Sequence, residues 1–407
     1  MTRRFPLPAL LALAACGGDA AAGALATRAD SAGIEIVTNA AAAWPAGTGW
    51  RISPTPAVQV SARDDGDRRY DLLRISGGRV LPGGDILVAV AGHRELRVYG
   101  PDGSWRLTIG REGEGPGEMR SAGNLVLAGD TLFLADNQLR RLSAFRLDGA
   151  FLTSWPYPAV EGGGQVLPTA RLADGRWLAT EFASFTAGQV TAGISRVPVT
   201  WRLVSADLAT VEGEVVQLAG TERLISVTSG QGGQVMAMRV MSLPLARATA
   251  AVGGPDFLLT GDNDRPELRQ YTPGGTLSRI IRWQAPSIPV DGPLLDRMKA
   301  AELRRWEGNA EMVEQIEAMY GTPPTLGAVP AFAGLHRDAE GAIWVREFPV
   351  LSTDSIRFRV FGADGQQWGP LALGPRHTVL DIGRDFLLTV WQDDDDLEHI
   401  RLYRLER

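Results

Sequence analysis

Four histidines are the side chains of this 407-residue chain best suited to bind a transition metal or to move a proton. They are His93, His336, His377 and His399. In the predicted fold the four histidines lie on different strands and turns, on different faces and at different distances from the centre. We therefore do not expect them to meet at one metal ion. No spacing of serine, histidine and aspartate indicates a nucleophilic triad, and the catalytic residues stay unknown. The sequence therefore predicts no metal site and no cofactor.

Two further segments have residue types that could bind ions. The glycine-rich segment GREGEGPGEM (110–119) lacks the Gly-Lys-Ser/Thr ending of a P-loop, and its three glutamates would repel phosphate. It is predicted to be a loop that connects two strands. The run of four aspartates at 393–396 has no alternating glycine that would suit calcium, so it is predicted to be a solvated hairpin turn.

The composition excludes several classes of protein. Hydrophobic residues make up 44% of the chain, which is enough for a large packed core. There are 41 basic and 47 acidic residues and a net charge of −6, which argues against a nucleic-acid-binding protein. The one cysteine, Cys16, leaves no pair for a disulfide.

The N-terminal residues are predicted to be a targeting signal. Positive charge at residues 1–4 is followed by an apolar run at 5–15, which is too short to span a membrane as a helix. The run ends in Leu13-Ala14-Ala15-Cys16-Gly17, which resembles the lipobox of bacterial lipoproteins. The resemblance implies cleavage after residue 15 and acylation of Cys16. An ordinary secretory signal with a chance cysteine is the alternative.

Residues 16–32 are rich in alanine and glycine and are predicted to be a flexible tether. In enteric lipoproteins a sorting aspartate directly follows the acylated cysteine. Here glycine follows Cys16, so the resemblance favours the outer membrane over the inner one. The protein is thus expected to be lipid-anchored in the cell envelope and to face the periplasm or the exterior.

A repeated pattern positions the remaining residues. Each copy has a β-prone run, an aromatic residue, a tight turn and another β-prone run. The turns with this signature are Tyr99-Gly-Pro-Asp102-Gly103, Phe145-Arg-Leu-Asp148-Gly149, Tyr271-Thr-Pro-Gly274-Gly275 and Phe361-Gly-Ala-Asp364-Gly365. Weaker copies at 176–205 and 386–405 bring the number of units to six, and loops are inserted at 183–198, 219–234 and 284–330. Six four-stranded units indicate an all-β fold, a six-bladed β-propeller over residues 33–407.

The second unit resembles an NHL-type repeat of six-bladed propellers. The positions that match this repeat are Asp136, Arg141, Phe145, Asp148 and Gly149. Met119 replaces the usual phenylalanine and Leu139 replaces an asparagine. The chain as a whole most resembles the six-bladed propeller lipoproteins of bacteria, a group whose members mostly lack a defined activity.

Two features depart from the simple repeat. The last unit ends after its third strand, so the strand Val58-Gln59-Val60 is predicted to complete it, and residues 34–38 are predicted to add an outer strand. At about 291–320, apolar residues with helical spacing predict two short helices that begin near Asp291 and Asn309. These helices are expected to form either a packing cap or a lid over the channel mouth.

The predicted fold gives two candidate regions for function. Asn124 and Asp381 are expected to face the propeller axis, where calcium-dependent propeller lactonases place such groups, but two residues are too few for a full site. The long polar loops of the face that carries the 2–3 and 4–1 connections are the other region. The ligand-binding residues predicted there are Arg111, Arg120, Asp136 and Arg140.

We therefore expect a monomeric binding or scaffold module for a protein, peptide or glycan, rather than an enzyme. The alternative is a hydrolase or lyase with its active site at the mouth of the channel.

Overall fold

The strands of this protein form a closed ring of six antiparallel blades. The structure is a computed structural model that describes residues 25–45, 49–161, 164–181, 192–229, 235–351 and 355–407. The predicted signal peptide and Cys16 lie outside the described residues. The six-bladed propeller predicted from the repeat is confirmed.

The strands follow one another around the ring in chain order. The N-terminal strands are β1 (Ala26–Ser31), β2 (Ile34–Asn39), β3 (Arg51–Ile52) and β4 (Val58–Val60). Blade I contains β5 (Ile75–Val80), β6 (Ile86–Val90), β7 (Glu95–Tyr99) and β8 (Trp105–Ile109). Blade II contains β9 (Leu125–Ala128), β10 (Thr131–Asp136), β11 (Arg141–Arg146) and β12 (Phe151–Pro156). Blade III contains β13 (Val166–Arg171), β14 (Trp177–Glu181), β16 (Val199–Val204) and β17 (Val211–Leu218), while β15 (Gly193–Arg196), β18 (Glu222–Ser229) and β19 (Val235–Ser242) lie in a separate sheet. Blade IV contains β20 (Thr249–Gly253), β21 (Leu258–Asp262), β22 (Glu267–Tyr271) and β23 (Leu277–Trp283). Blade V contains β24 (Gly334–Arg337), β25 (Ile343–Arg346), β26 (Ile356–Phe361) and β27 (Gln367–Leu373). Blade VI contains β28 (His377–Ile382), β29 (Phe386–Gln392) and β30 (Glu398–Glu406).

The core lies between the blades rather than at one centre. Six apolar clusters each combine residues of two adjacent blades, such as Leu87 with Leu134 and Val88 with Leu388. The second strand of blade I, ILVAV, is buried along its whole length because both faces of its sheet are covered. The outer strand β8 alternates, since one of its faces meets solvent.

The predicted turns and closure are confirmed. Gly103, Gly149, Gly275 and Gly365 have φ of 78°, 91°, 82° and 83°, which a tight 3–4 turn needs and a side chain with a Cβ disfavours. In blade VI, β4 pairs with β30, and β3 extends the same edge. The predicted outer strand also forms, because β2 runs parallel to β23 at the outer edge of blade IV.

Two expectations are wrong. The second half of the predicted tether forms β1, which pairs with β2 through a turn at Ala32 and Gly33, both at positive φ. The alanine- and glycine-rich composition of residues 16–32 gives no indication of this hairpin. The insertions expected as loops at 183–198 and 219–234 contribute β15 and β18, which form a three-stranded sheet with β19. Their alternating β-prone residues can pair once blade III brings them together.

The two predicted helices are confirmed as α1 (Gly292–Arg305) and α2 (Ala310–Tyr320). Asp291 caps α1 by accepting the Leu294 N–H at 2.9 Å, and Asn309 caps α2 by accepting the Met312 N–H at 3.1 Å. Leu294 packs with Leu245, Val329 and Phe348 on the connections of neighbouring blades. Neither helix is long and apolar enough to cross a membrane, and no other described helix is either.

Candidate functional site

Asp136, the last residue of β10, holds the incoming crossover against the end of its strand. The side chain is buried, and its carboxylate accepts the backbone N–H groups of Arg120 at 2.7 Å and Ser121 at 3.2 Å, and the Ser121 hydroxyl at 3.0 Å. It also accepts the N–H groups of Gln138 at 3.0 Å and Leu139 at 2.9 Å in the turn that follows. Because these donors satisfy the carboxylate, Asp136 positions the loop.

Arg141 fixes the glycine-rich segment 110–119 to blade II. Its guanidinium donates to the carbonyl oxygens of Glu114 at 2.9 Å, Gly115 at 2.8 Å and Glu118 at 2.8 Å. The segment lies between β8 and β9, as predicted for a crossover loop. Two of the positions that match an NHL-type repeat, Asp136 and Arg141, thus hold one crossover in place.

The other predicted site residues lie on the same face. Arg111 donates to Glu118 at 2.8 Å, and its side chain is 80% exposed. Arg120 donates to Glu114 at 3.0 Å. Arg140, at a φ of 51°, lies in the 2–3 turn and donates to Gln165 at 3.4 Å. The structure therefore gathers Arg111 and Arg120 in one loop, where each pairs with a glutamate, and places Arg140 beside blade III.

A cavity of about 450 Å³ runs along the propeller axis. The first strands of all six blades contribute to its wall, which reaches the 1–2 turn of blade V at Asp338 and Ala339. Asn124 and Asp381 both line it, so their predicted axial position is confirmed. None of the four site residues predicted on the loops lines this cavity.

Arg79 joins three blades inside this channel. Its guanidinium donates to the carbonyl oxygens of Gly78 at 2.7 Å, Leu380 at 3.1 Å and Leu125 at 2.7 Å. These acceptors belong to the first strands of blades I, VI and II. Asn124 makes a similar link when its amide donates to the Thr169 carbonyl at 2.8 Å.

Two further arginines line the channel and have different surroundings. Arg171 lies 5.1 Å from the ring centroids of both Phe133 and Trp177, and Arg337 lies 5.8 Å from that of Phe257. Neither side chain has a hydrogen bond or ion pair with another described residue. The rings orient both guanidinium groups without satisfying their N–H donors.

The charges of the described channel wall do not balance. Arg79, Arg171 and Arg337 face two carboxylates, of which Asp338 is buried and paired with Arg407 at 2.7 Å. Burial raises the pKa of Asp381, although the charge of Arg79 and the Val80 N–H act in the opposite direction. The channel therefore carries an excess of positive charge in a chain whose net charge is −6. Such a cavity attracts anions.

The four histidines lie in separate surroundings. His93 contacts Asp71 at 2.9 Å, and His399 contacts Asp393 at 2.8 Å. Burial, together with nearby arginine charge, lowers the pKa of His336 and of His377 to about 4, so both rings are neutral at pH 7. Within the described residues, no three His, Cys, Asp or Glu side chains are grouped so that they could hold a metal ion.

The aspartate run forms the predicted hairpin turn. Asp393 accepts the N–H groups of Asp395 at 3.0 Å and Leu397 at 2.9 Å, while Asp394 and Asp396 pair with Arg376. The sequence reasoning missed Arg79, Arg171 and Arg337. Their common signal is a position at or next to the end of a first strand, which an alignment of the six units by strand would have shown.

Comparison with known proteins finds similar folds of low sequence identity. No protein-family model matches the chain, and no curated protein matches its sequence significantly. A protein of Bacteroides fragilis inferred to be exported is 10% identical, with a TM-score of 0.46 over 91% of this chain and 99% of that one. A DUF4221 family member from Bacteroides vulgatus is 8% identical, with a TM-score of 0.49 over 88% and 99%. A gluconolactonase from Xanthomonas campestris is 12% identical, with a TM-score of 0.42 over 83% and 88%. The six-bladed architecture follows from the strand pairing itself.

Proposed function

We propose that this protein is a binding module of the bacterial cell envelope whose propeller takes the anionic part of a glycan into its central channel. The observation that carries the proposal is the excess of positive charge in the channel, where Arg171 and Arg337 have no polar partner among the described residues. The lipobox-like sequence around Cys16 supports attachment to a membrane, and the protein acts there as a monomer.

The channel suits an acidic sugar in size and chemistry. A volume of about 450 Å³ accommodates a ligand of one or two sugar rings. A guanidinium binds a carboxylate through two parallel N–H bonds, and the ring beneath it fixes its plane. Val126, Leu127 and Val252 supply apolar wall for the C–H faces of a sugar.

The loops on the connection-bearing face provide the surface for the rest of a larger ligand. Arg111, Arg120 and Arg140 are partly or fully exposed there, while Asp136 shapes the loop from beneath. The three arginines contact the ligand, and Asp136 holds the loop in position.

Isothermal titration calorimetry of the purified chain with glucuronate, galacturonate, glucose and galactose tests the proposal. The acids are expected to bind at least tenfold more tightly than the neutral sugars, since the neutral sugars lack the group that pairs with arginine. Arg171→Gln and Arg337→Gln should each weaken binding of the acid about tenfold. Arg146→Gln, which alters an exposed arginine of an outer turn, is the matched control and should leave binding unchanged. Equal affinity for acids and neutral sugars would contradict the proposal.

A hydrolase or lyase in the same channel is the second candidate. It is favoured by the presence of two titratable groups, Asp381 and His336, in one cavity, each with its pKa perturbed by burial. An enzyme should convert a bound acidic oligosaccharide, and Asp381→Asn should abolish turnover while binding remains. A ligand that is bound and recovered unchanged supports the binding module instead.

A further inference from the structure

A second cavity, of about 280 Å³, lies between blades V and VI on the face that carries the 2–3 and 4–1 connections. Its described wall consists of Arg346–Pro349 at the end of β25, Ser355–Arg357 at the start of β26, and the crossover Pro375–His377. Residues 352–354 are outside the described residues. The site is separate from the channel, and none of the described lining residues is shared by the two cavities.

Arg346 is the main polar group of this pocket. It is partly buried, and burial lowers the pKa of its guanidinium. Its side chain has no hydrogen bond or ion pair with any described residue. Two other arginine side chains of low exposure are paired, Arg359 with Glu347 at 2.9 Å and Arg407 with Asp338 at 2.7 Å. A desolvated guanidinium without a partner is costly unless a ligand supplies one.

The neighbouring charges leave the pocket positive. Arg357 lines it, is exposed, and has no ion pair with a described residue. Arg376 also lines it but is neutralised by Asp394 at 3.0 Å and Asp396 at 2.7 Å. Among the described lining residues, the one carboxylate is that of Glu347, and it is held by Arg359 at 2.9 Å. The uncompensated charge among the described lining residues is therefore that of Arg346 and Arg357.

The rest of the wall is apolar or neutral. Phe348, Pro349, Ile356 and Pro375 contribute apolar surface. His377 is buried, and its ring contacts the Thr389 hydroxyl at 3.0 Å and the Tyr403 hydroxyl at 3.4 Å. A ligand that fits this wall has an apolar body next to its charge.

We infer that this pocket is an anion site, distinct from the channel, that binds a small organic anion through Arg346 and Arg357 and seats its apolar body on Phe348 and Ile356. A carboxylate and a phosphate monoester share the chemistry that the two guanidinium groups recognise. The inference does not depend on the proposed function of the channel.

Calorimetric titration of the full chain with benzoate, phenyl phosphate, inorganic phosphate and benzyl alcohol tests the site. Benzoate, phenyl phosphate or both should bind at least tenfold more tightly than inorganic phosphate and benzyl alcohol. Inorganic phosphate lacks the apolar body, and benzyl alcohol lacks the negative charge. The anion that binds more tightly shows whether the site prefers a carboxylate or a phosphate monoester. Arg346→Gln should weaken that binding at least tenfold, and Arg346→Lys should restore part of it.

Two further variants locate the binding. Arg357→Gln should weaken binding of the same ligand, whereas Arg146→Gln, which alters an exposed arginine that lines neither cavity, should leave it unchanged. Arg346→Gln should also keep or raise the melting temperature, since it removes an unpaired charge rather than a structural contact. Undiminished affinity of Arg346→Gln for the anion that binds more tightly, or equal affinity of the wild-type chain for that anion and for inorganic phosphate, would overturn the inference. Loss of that binding in Arg171→Gln but not in Arg346→Gln would likewise overturn it by placing the ligand in the channel.

Discussion

Val60 lies opposite Ile400 in blade VI, so residues near the two ends of the propeller share one sheet. Both side chains are buried in the cluster between blades VI and I, together with Val88 and Leu388. The side chain of Arg401 also donates to that of Gln59 at 2.9 Å. The closure of the ring therefore depends on both backbone pairing and apolar packing.

Deletion of residues 56–62 should destabilise the protein strongly. It removes β4 and exposes the edge of β30, and each lost hydrogen bond costs about 1 kcal/mol while a buried valine adds roughly 2 kcal/mol. We expect a large fall in melting temperature and increased aggregation, measured by calorimetry and light scattering.

Deletion of residues 25–31 is the matched control. It removes as many residues and takes away β1, whose side chains are largely exposed at the outer edge of blade IV. Its effect on melting temperature should be much smaller. If both deletions lower the melting temperature equally, β4 has no special role in closure.

Asp136→Asn should lower the free energy of unfolding by about 2 kcal/mol or more, because an amide NH₂ would face N–H donors that now meet a carboxylate. Charge reversals at Arg111 and Arg120 should cost at most ~1 kcal/mol each, since both residues are exposed. Urea denaturation of these variants, with Asp148→Asn as an exposed control, measures the difference. A loss for Asp136→Asn no larger than for Asp148→Asn would mean that the loop contacts do not stabilise the fold.

The two neutral histidines predict a pH dependence of stability. Burial lowers the pKa of His336 and of His377 from 6.5 to about 4, so the unfolded chain binds more protons than the folded one between these values. Stability should therefore be fully present above pH 6.5 and fall as the pH decreases towards 4, by at most about 3 kcal/mol for each histidine. Urea denaturation at pH 7 and pH 5 measures this slope, and His336→Gln should reduce it. An equal slope in that variant would show that His336 does not contribute.

Cys16→Ser should abolish acylation and leave the precursor uncleaved, because the lipobox-like sequence requires the thiol. Mass spectrometry of the purified chain and fractionation of cells check both outcomes. A variant that is cleaved and fractionates with membranes like the parent would contradict the proposed anchor.

Much of the fold could be predicted from the sequence because its determinants are local. In four of the units, the aromatic residue and the Gly-containing turn specify the 3–4 hairpin. The missing last strand of the sixth unit indicates a partner near Val60. The strand β1 was missed because its polar composition is that of a linker, although Arg28 pairs with Glu35 and with Asp364 from blade V.

The channel could be predicted only in part. The sequence predicts Asn124 and Asp381 there, and the structure places them directly before and within first strands, respectively. Arg171 and Arg337 were not predicted, since each looks like an ordinary polar residue at the end of a strand. What distinguishes them is an aromatic ring from another part of the sequence, that of Phe133 in β10 for Arg171 and that of Phe257, directly before β21, for Arg337. Such a contact has no local signal.

A crystal structure of the chain with its tightest-binding acidic sugar shows directly whether the channel is the binding site. We expect electron density for the acid within the channel, with its carboxylate in hydrogen-bond contact with Arg171 or Arg337. Density for the acid only outside the channel, with no contact to either guanidinium group, would contradict the proposed function.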